Sequence, residues 1–333
     1  MNNKYKVAFT IIILIVLLLV ITYITLFANK KEEPETEKIE IKRISTYNNP
    51  IVPKGFKKVE TETASWEEVE GIPIGWNSGL VIEDEIGNQF VWVPFNGDGS
   101  DYSKIAKNMY ESDIYDSDSW DQYILKYGGF YIARYEAGVS IDMQHTLNNI
   151  GLNTNDARGI PVSIADVRPW NYISYENAKA NAESMYSTDT VNSSLPTIRQ
   201  VFIIMDWLNN SGYDAYNDSS NWGNFSNVLF NFSGYYSEDY GKTFKYTNNG
   251  FKTSYNIITS SGASDRNMAN NIYDLAGNLR EYTSSRYADT EYYFSYSGHY
   301  DTPGNQHPAS STFAFSKEPY HNIGYRVVLV LKD

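Results

Sequence analysis

The 333-residue chain contains no cysteine. That excludes a disulfide framework, a thiolate metal site and a cysteine nucleophile, and it leaves export open, because an exported domain can do without disulfides. Positive charge is scarce as well: 27 Lys and Arg stand against 40 Asp and Glu, a net charge of -13. A surface that repels phosphate gains nothing from counterion release, and no basic patch offsets it, so nucleic acid is excluded as a partner. Histidine occurs only at His145, His299, His307 and His321, with no His-x-x-x-His spacing among them. A Gly-x-Ser-x-Gly nucleophile motif is absent too.

What is present is apolar and aromatic. With 42% hydrophobic and 15% aromatic residues the chain can build a large core, as one big domain or two ordinary ones. From Val7 to Ala28 no side chain is charged and most are Ile, Leu or Val, enough for a helix of about 33 Å, which crosses a bilayer core. The run ends Leu26-Phe27-Ala28-Asn29, longer than a signal-peptide core, so the expectation is an uncleaved anchor. Residues 1–6 then form a cytoplasmic tail. Lysines flank both ends of the span, more of them after it (Lys30, Lys31, Lys38, Lys42 and Arg43) than before it (Lys4, Lys6). The basic count therefore leans against export, but a short tail before a large domain, and the glutamates diluting the basic cluster, place the domain outside the cell membrane in a single-pass protein. Residues 29–50, charged and broken by Pro34 and Pro50, read as a solvated stalk.

The domain expected over 51–333 opens with a hairpin signature, two apolar runs flanking Asp84-Glu85-Ile86-Gly87-Asn88. The acidic stretch from Asn96 fails as a helix-loop-helix calcium loop, since its sixth position is Asp101 where glycine is required, and reads as a solvated loop. Gly128 to Glu136 reads as a strand. Ser174 caps a predicted helix over Tyr175–Tyr186, and Thr197 with Gln200 makes a capping box for a second, whose apolar stripe Val201, Ile204, Met205, Leu208 stops at Asn209-Asn210-Ser211-Gly212. Tyr213 to Gly250 lacks periodicity and is expected to form loops and short strands, while Gly324 to Leu331 reads as one buried strand. Two short helices among many strands and loops define an α+β fold with irregular segments.

The stretch Asn271 to Thr283 predicts a strand, a tight turn at Gly277-Asn278 and a second strand. Its amide oxygen, carboxylate and free carbonyls are the hard ligands Ca²⁺ prefers; equally, the Asn can simply satisfy its own backbone.

Five blocks in fixed order, Phe130-Tyr131-Ile132-Ala133-Arg134-Tyr135-Glu136, Ile173-Ser174-Tyr175-Glu176-Asn177-Ala178-Lys179-Ala180, Leu195-Pro196-Thr197, Gly277-Asn278-Leu279-Arg280-Glu281-Tyr282 and Gly324-Tyr325-Arg326, resemble the formylglycine-generating enzyme (sulfatase-modifying factor) superfamily. The resemblance runs from about Pro53 to the C-terminus. It implies a C-type-lectin-like fold with short sheets, two main helices and much irregular chain, its two ends joined by pairing strands. It also implies calcium at the Gly-Asn-x-x-Glu turn, here Asn278 and Glu281, although Arg280 replaces the usual Trp and adds a cation. Members that make formylglycine hold copper on two cysteines; this chain has none, so no copper and no such activity are expected.

The leading expectation is thus a non-catalytic, membrane-anchored extracellular binding module for a protein or glycan. By position in relatives with diversified tails, its ligand face would comprise Tyr292, Tyr293, Tyr296, His299 and Tyr300; tyrosine supplies contact area at low entropy cost, but the same rings can equally pack the domain. The alternatives are a cell-wall hydrolase using paired carboxylates and a structural component of an envelope complex.

Overall fold

The computed structural model describes residues 49–95, 114–115, 121–140, 156–253, 257–287 and 290–332. The expected tail, anchor and all but the last two stalk residues lie outside them, as does the acidic stretch 96–113. Among the described residues no helix is long and apolar enough to cross a membrane. Thr46–Asp333 forms one compact unit.

Two apolar registers run through the same strands. Val81, Val91, Val93, Ile132 and Val328 pack into one buried cluster, and Leu80, Ile82, Phe90, Trp92, Tyr131, Ala133 and Leu329 into another. Side chains alternate between the two faces of a strand, so a sheet apolar in both registers must be covered on both sides. The strands Phe56–Val59, Val81–Asp84, Gln89–Pro94, Gly129–Ala133, Val328–Leu331 and Val191–Ser194 form that sheet in this spatial order, antiparallel throughout. After a short helix α1 (Asp121–Tyr127), which the sequence reading missed, helix α2 (Tyr175–Met185) packs Tyr175, Ala178 and Ala182 into one cluster. Helix α3 (Ile198–Asn210) packs Val201, Ile204, Met205 and Leu208 into the other. Each of the larger apolar side chains, such as Val201, Ile204, Met205 and Leu208, contributes roughly 1.5–3 kcal/mol when taken fully from water, which is what fixes the helices to the sheet.

Both predicted caps are made. Ser174 Oγ accepts from Asn177 N at 3.4 Å, while Thr197 Oγ1 accepts from Gln200 N at 3.2 Å as Gln200 Oε1 accepts from Thr197 N at 2.8 Å. The hairpin over 81–94 forms as expected. The ends of the domain, however, do not pair with each other: its first described strand is the half-exposed sheet edge and its last lies inside the sheet, with three strands between them. A strand buried along its whole length needs a neighbour on each side, and the half-exposed first strand is suited only to an edge.

The second sheet carries the C-terminal region. Arg280–Tyr287 pairs antiparallel with Tyr293–Tyr296 and parallel with Ile323–Tyr325, and Thr312–Phe315 lies outside Tyr293–Tyr296. The predicted hairpin across Gly277-Asn278 is not formed, because Ile272–Tyr273 pairs back on Met268–Ala269. The turn instead docks on Asn224: Asn278 N donates to Asn224 O at 2.9 Å, and Asn224 N to Ala276 O at 3.1 Å. Gly277 sits at φ 76°, and a Cβ there would lie 2.3 Å from Asn224 O, so only glycine permits the approach. The single strand expected over 324–331 is broken at Arg326, whose side chain turns into the core. The segment expected to form loops and short strands contains two seven-residue strands, Asn231–Ser237 and Lys245–Phe251, in a sheet with Ile258–Thr259.

Candidate functional site

The turn that looked like a ligand site is the polar keystone of the core. Glu281, 1% exposed, receives three hydrogen bonds from the fully buried Arg326 (2.8, 3.0 and 3.1 Å), and Tyr296 donates its hydroxyl to Oε2. Arg326 also donates to Ala133 O at 3.0 Å and Tyr273 O at 2.9 Å. Asn278, held at φ 53°, uses its whole side chain. Its Nδ2 donates to Glu136 Oε2 at 2.5 Å and Thr259 O at 3.1 Å, and its Oδ1 accepts from Asn224 Nδ2 at 2.9 Å and Thr259 N at 3.1 Å. Lys252, fully buried, donates to Asn224 Oδ1 at 2.6 Å and Phe225 O at 2.5 Å; desolvation, aided by the neighbouring Arg266, lowers its pKa to about 7. The oxygens that would bind calcium thus already accept from protein donors. Among the described residues no group of three or more His, Asp or Glu could hold a metal.

Glu136 and Asp274 complete this buried cluster. Glu136 accepts from Leu279 N at 3.0 Å, and Asp274 from Gly262 N at 2.9 Å and Asn267 Nδ2 at 3.1 Å. Burial raises both carboxyls, Asp274 to about 6, while Arg326 draws both down. The strand expected to reach Glu136 stops at Ala133, and nothing local in the sequence shows that Glu136, past its end, turns inward to meet Asn278, 142 positions away.

Of the five tyrosine and histidine positions expected at a ligand face, two come together. His299 and Tyr300 lie with ring centroids 5.6 Å apart, and the buried Tyr300 holds His321 through a 2.5 Å contact between its hydroxyl and Nδ1. Tyr296 is wholly in the core on Glu281, out of reach of a surface ligand. Tyr293 stacks on Tyr175 at 3.4 Å, and Tyr292 stands exposed beside it in sequence; neither has a ring contact with His321.

Around His321 the structure instead gathers Tyr320, Tyr240 and Tyr172, with centroids 4.6, 5.1 and 6.4 Å from the imidazole. Tyr320 and Tyr240 are 51% and 39% exposed, so this is a surface patch of rings around a half-buried base. Three loops meet here on one fully buried side chain. Asn171 Nδ2 donates to His321 O at 2.9 Å and Tyr240 O at 3.3 Å, and Tyr172 N donates to Tyr320 O at 3.0 Å. Gly241 lets Asn171 in, since a Cβ there would fall 2.2 Å from Nδ2. Tyr172 and Tyr240 both have left-handed backbones, φ 53° and 64°, a conformation that costs a bulky residue about 1–3 kcal/mol and persists only where the surroundings impose it. Burial lowers the His321 pKa, with Lys242 lowering and Asp301 raising it, which favours a neutral imidazole beneath the rings. No sequence signal found this patch: its rings come from three separate loops, and only the fold adds them together.

No protein-family profile matches the chain, and no curated protein does. Among solved structures it is similar to CarF (16% identity, TM-score 0.38, covering 62% of this chain and 87% of CarF). It is also similar to PvdO from Pseudomonas aeruginosa (14%, 0.43, 75% and 98%) and to Treponema denticola variable protein 1 (12%, 0.40, 73% and 95%). Likenesses of this strength assign neither a family nor an activity.

Proposed function

We propose that the chain is a non-catalytic, membrane-anchored extracellular binding module, built on a C-type-lectin-like scaffold of the formylglycine-generating-enzyme kind, that presents the aromatic patch around His321 to a protein or glycan. One observation carries this reading: Tyr172 and Tyr240 are held in left-handed backbone conformations by loops stapled on Asn171, so that strain is spent on presenting rings at a surface. Rings fixed before binding lose little freedom when a ligand arrives. The hydrolase reading finds no support in the buried carboxylates, since Glu136, Asp274 and Glu281 are at most 2% exposed and serve as hydrogen-bond acceptors of the core.

The test is an array of glycans and envelope proteins probed with the full chain and with a Tyr240→Ser/Tyr320→Ser variant. Exposed central aromatics in an interface are worth about 2 kcal/mol or more each, so the double variant should lose signal at least thirtyfold while its melting temperature stays within a few degrees. Equal binding by both proteins removes the patch from the function.

A further inference from the structure

Arg280 is 8% exposed and has no ion pair among the described residues. Its backbone N donates to Asn322 O at 2.9 Å and its Nε to Ser297 O at 3.3 Å, which leaves the two terminal nitrogens without an acceptor among the described residues. The guanidinium lies 3.7 Å over the Phe313 ring and 5.8 Å from Phe315. Buried charges are ordinarily paired, because an isolated one loses hydration without recompense. The other deeply buried guanidinium, Arg326, has Glu281; Arg280, in a chain of net charge -13, has none among the described residues.

Among the described residues the surroundings are polar, and no carboxylate pairs with the guanidinium. His299, 7% exposed, accepts from Asp301 N at Nδ1 (3.3 Å) and meets the Asn322 amide at Nε2 (3.0 Å). Burial first, then the charge of Arg280, depresses its pKa to about 3, so it is neutral. A neutral imidazole that accepts at Nδ1 bears its proton on Nε2. That proton calls for the oxygen of Asn322, the side-chain atom that otherwise has no partner. His307, its ring 5.4 Å from Phe313, also feels the Arg280 charge. The atoms sealed from solvent without partners include Asn322 Oδ1 but neither terminal nitrogen of Arg280, so the guanidinium keeps an opening.

We propose that Arg280 is the centre of an oxyanion-binding site, floored by Phe313 and walled by His299 and Asn322, which takes the carboxylate or phosphate group of a ligand. A planar guanidinium with two free nitrogens matches either group in bidentate fashion. This goes beyond the aromatic-patch reading, because the anion site stands whether or not the tyrosines around His321 bind anything.

The test is titration of the purified full chain with sodium acetate, methyl phosphate and inorganic phosphate against sodium chloride at matched ionic strength, followed by melting temperature and by calorimetry. Wild type should show a saturable rise with at least one oxyanion. Arg280→Met should lose it at least tenfold, Arg280→Lys, which keeps the charge but not the fork, should fall between, and Tyr240→Ser/Tyr320→Ser should keep it. A stronger response to acetate identifies a carboxylate ligand and a stronger one to methyl phosphate a phosphate ester. No saturable response in wild type, or an undiminished one in Arg280→Met, overturns the site; should the Met variant not fold, the wild-type and Arg280→Lys titrations decide alone.

Discussion

Replacing Arg326 by Met tests how the core is held. The side chain is fully buried and makes five hydrogen bonds, three to Glu281 and one each to the carbonyls of Ala133 and Tyr273. Removing one partner of a buried ion pair costs about 3–5 kcal/mol, because the other charge stays behind uncompensated. Each orphaned carbonyl adds about 1–3 kcal/mol. These contributions overlap, so the expected loss is about 4–8 kcal/mol, a large part of the roughly 5–15 kcal/mol that holds a domain folded. Urea unfolding at pH 7 should show a midpoint shifted to very low denaturant, or no folded baseline. The partner experiment is Arg326→Met/Glu281→Leu, in which the stranded carboxylate is gone; it should recover several kcal/mol over Arg326→Met alone. A single variant that loses less than about 1 kcal/mol, on the scale of an exposed pair, would refute the reasoning, as would a double variant that recovers nothing.

Three further outcomes follow from the same contacts. Asp274 has its pKa raised to about 6 by burial; protonation is then easier folded than unfolded, and stability it contributes below its ordinary range is lost as pH rises through about 6. The melting temperature should therefore climb as pH falls from 7 to 5, and Asp274→Asn should flatten that climb; a wild-type protein that destabilises steadily over this range contradicts it. Thr197→Ala removes the capping-box acceptor and should cost about 1 kcal/mol, read as a melting temperature some 2–4 °C lower for a chain of this size. Calcium added to the metal-free protein should shift the melting temperature by less than about 1 °C, because Glu281 is taken by Arg326 and binding only to the folded form would stabilise it in proportion to RT ln(1 + [L]/Kd); a concentration-dependent rise of several degrees would place an ion at the turn after all.

What the sequence revealed was local. Ser174 and Thr197 announce their helices because a cap bonds a residue three positions away, and Leu80 to Val93 reads as a hairpin because two apolar runs flank a turn signal between them. What it concealed depends on distant partners. Lys245–Phe251 has a mostly exposed sequence, Lys-Tyr-Thr-Asn-Asn-Gly-Phe, with no buried face to pattern it, and it is a strand because Asn231–Ser237 lies alongside. Arg326 interrupts an apolar run for the sake of Glu281, 45 residues away. The same holds at the surface. Asn278 and Glu281 carry ligand chemistry in sequence and serve the core in the fold, whereas Tyr172, Tyr240 and Tyr320, unremarked along the chain, meet at His321. Arg280 was visible as a departure from the pattern that its block resembles, but its lack of a counter-charge among the described residues appears only once Phe313, His299 and Asn322 surround it.

The central claim is that ligand capture belongs to the rings around His321. The direct measurement is the affinity of wild type and of Tyr240→Ser/Tyr320→Ser for the strongest glycan or protein hit on the array, by surface plasmon resonance, with melting temperature as the control for folding. The prediction is a Kd weakened at least thirtyfold in a variant that still folds; an unchanged Kd, or a loss that appears only with unfolding, contradicts it.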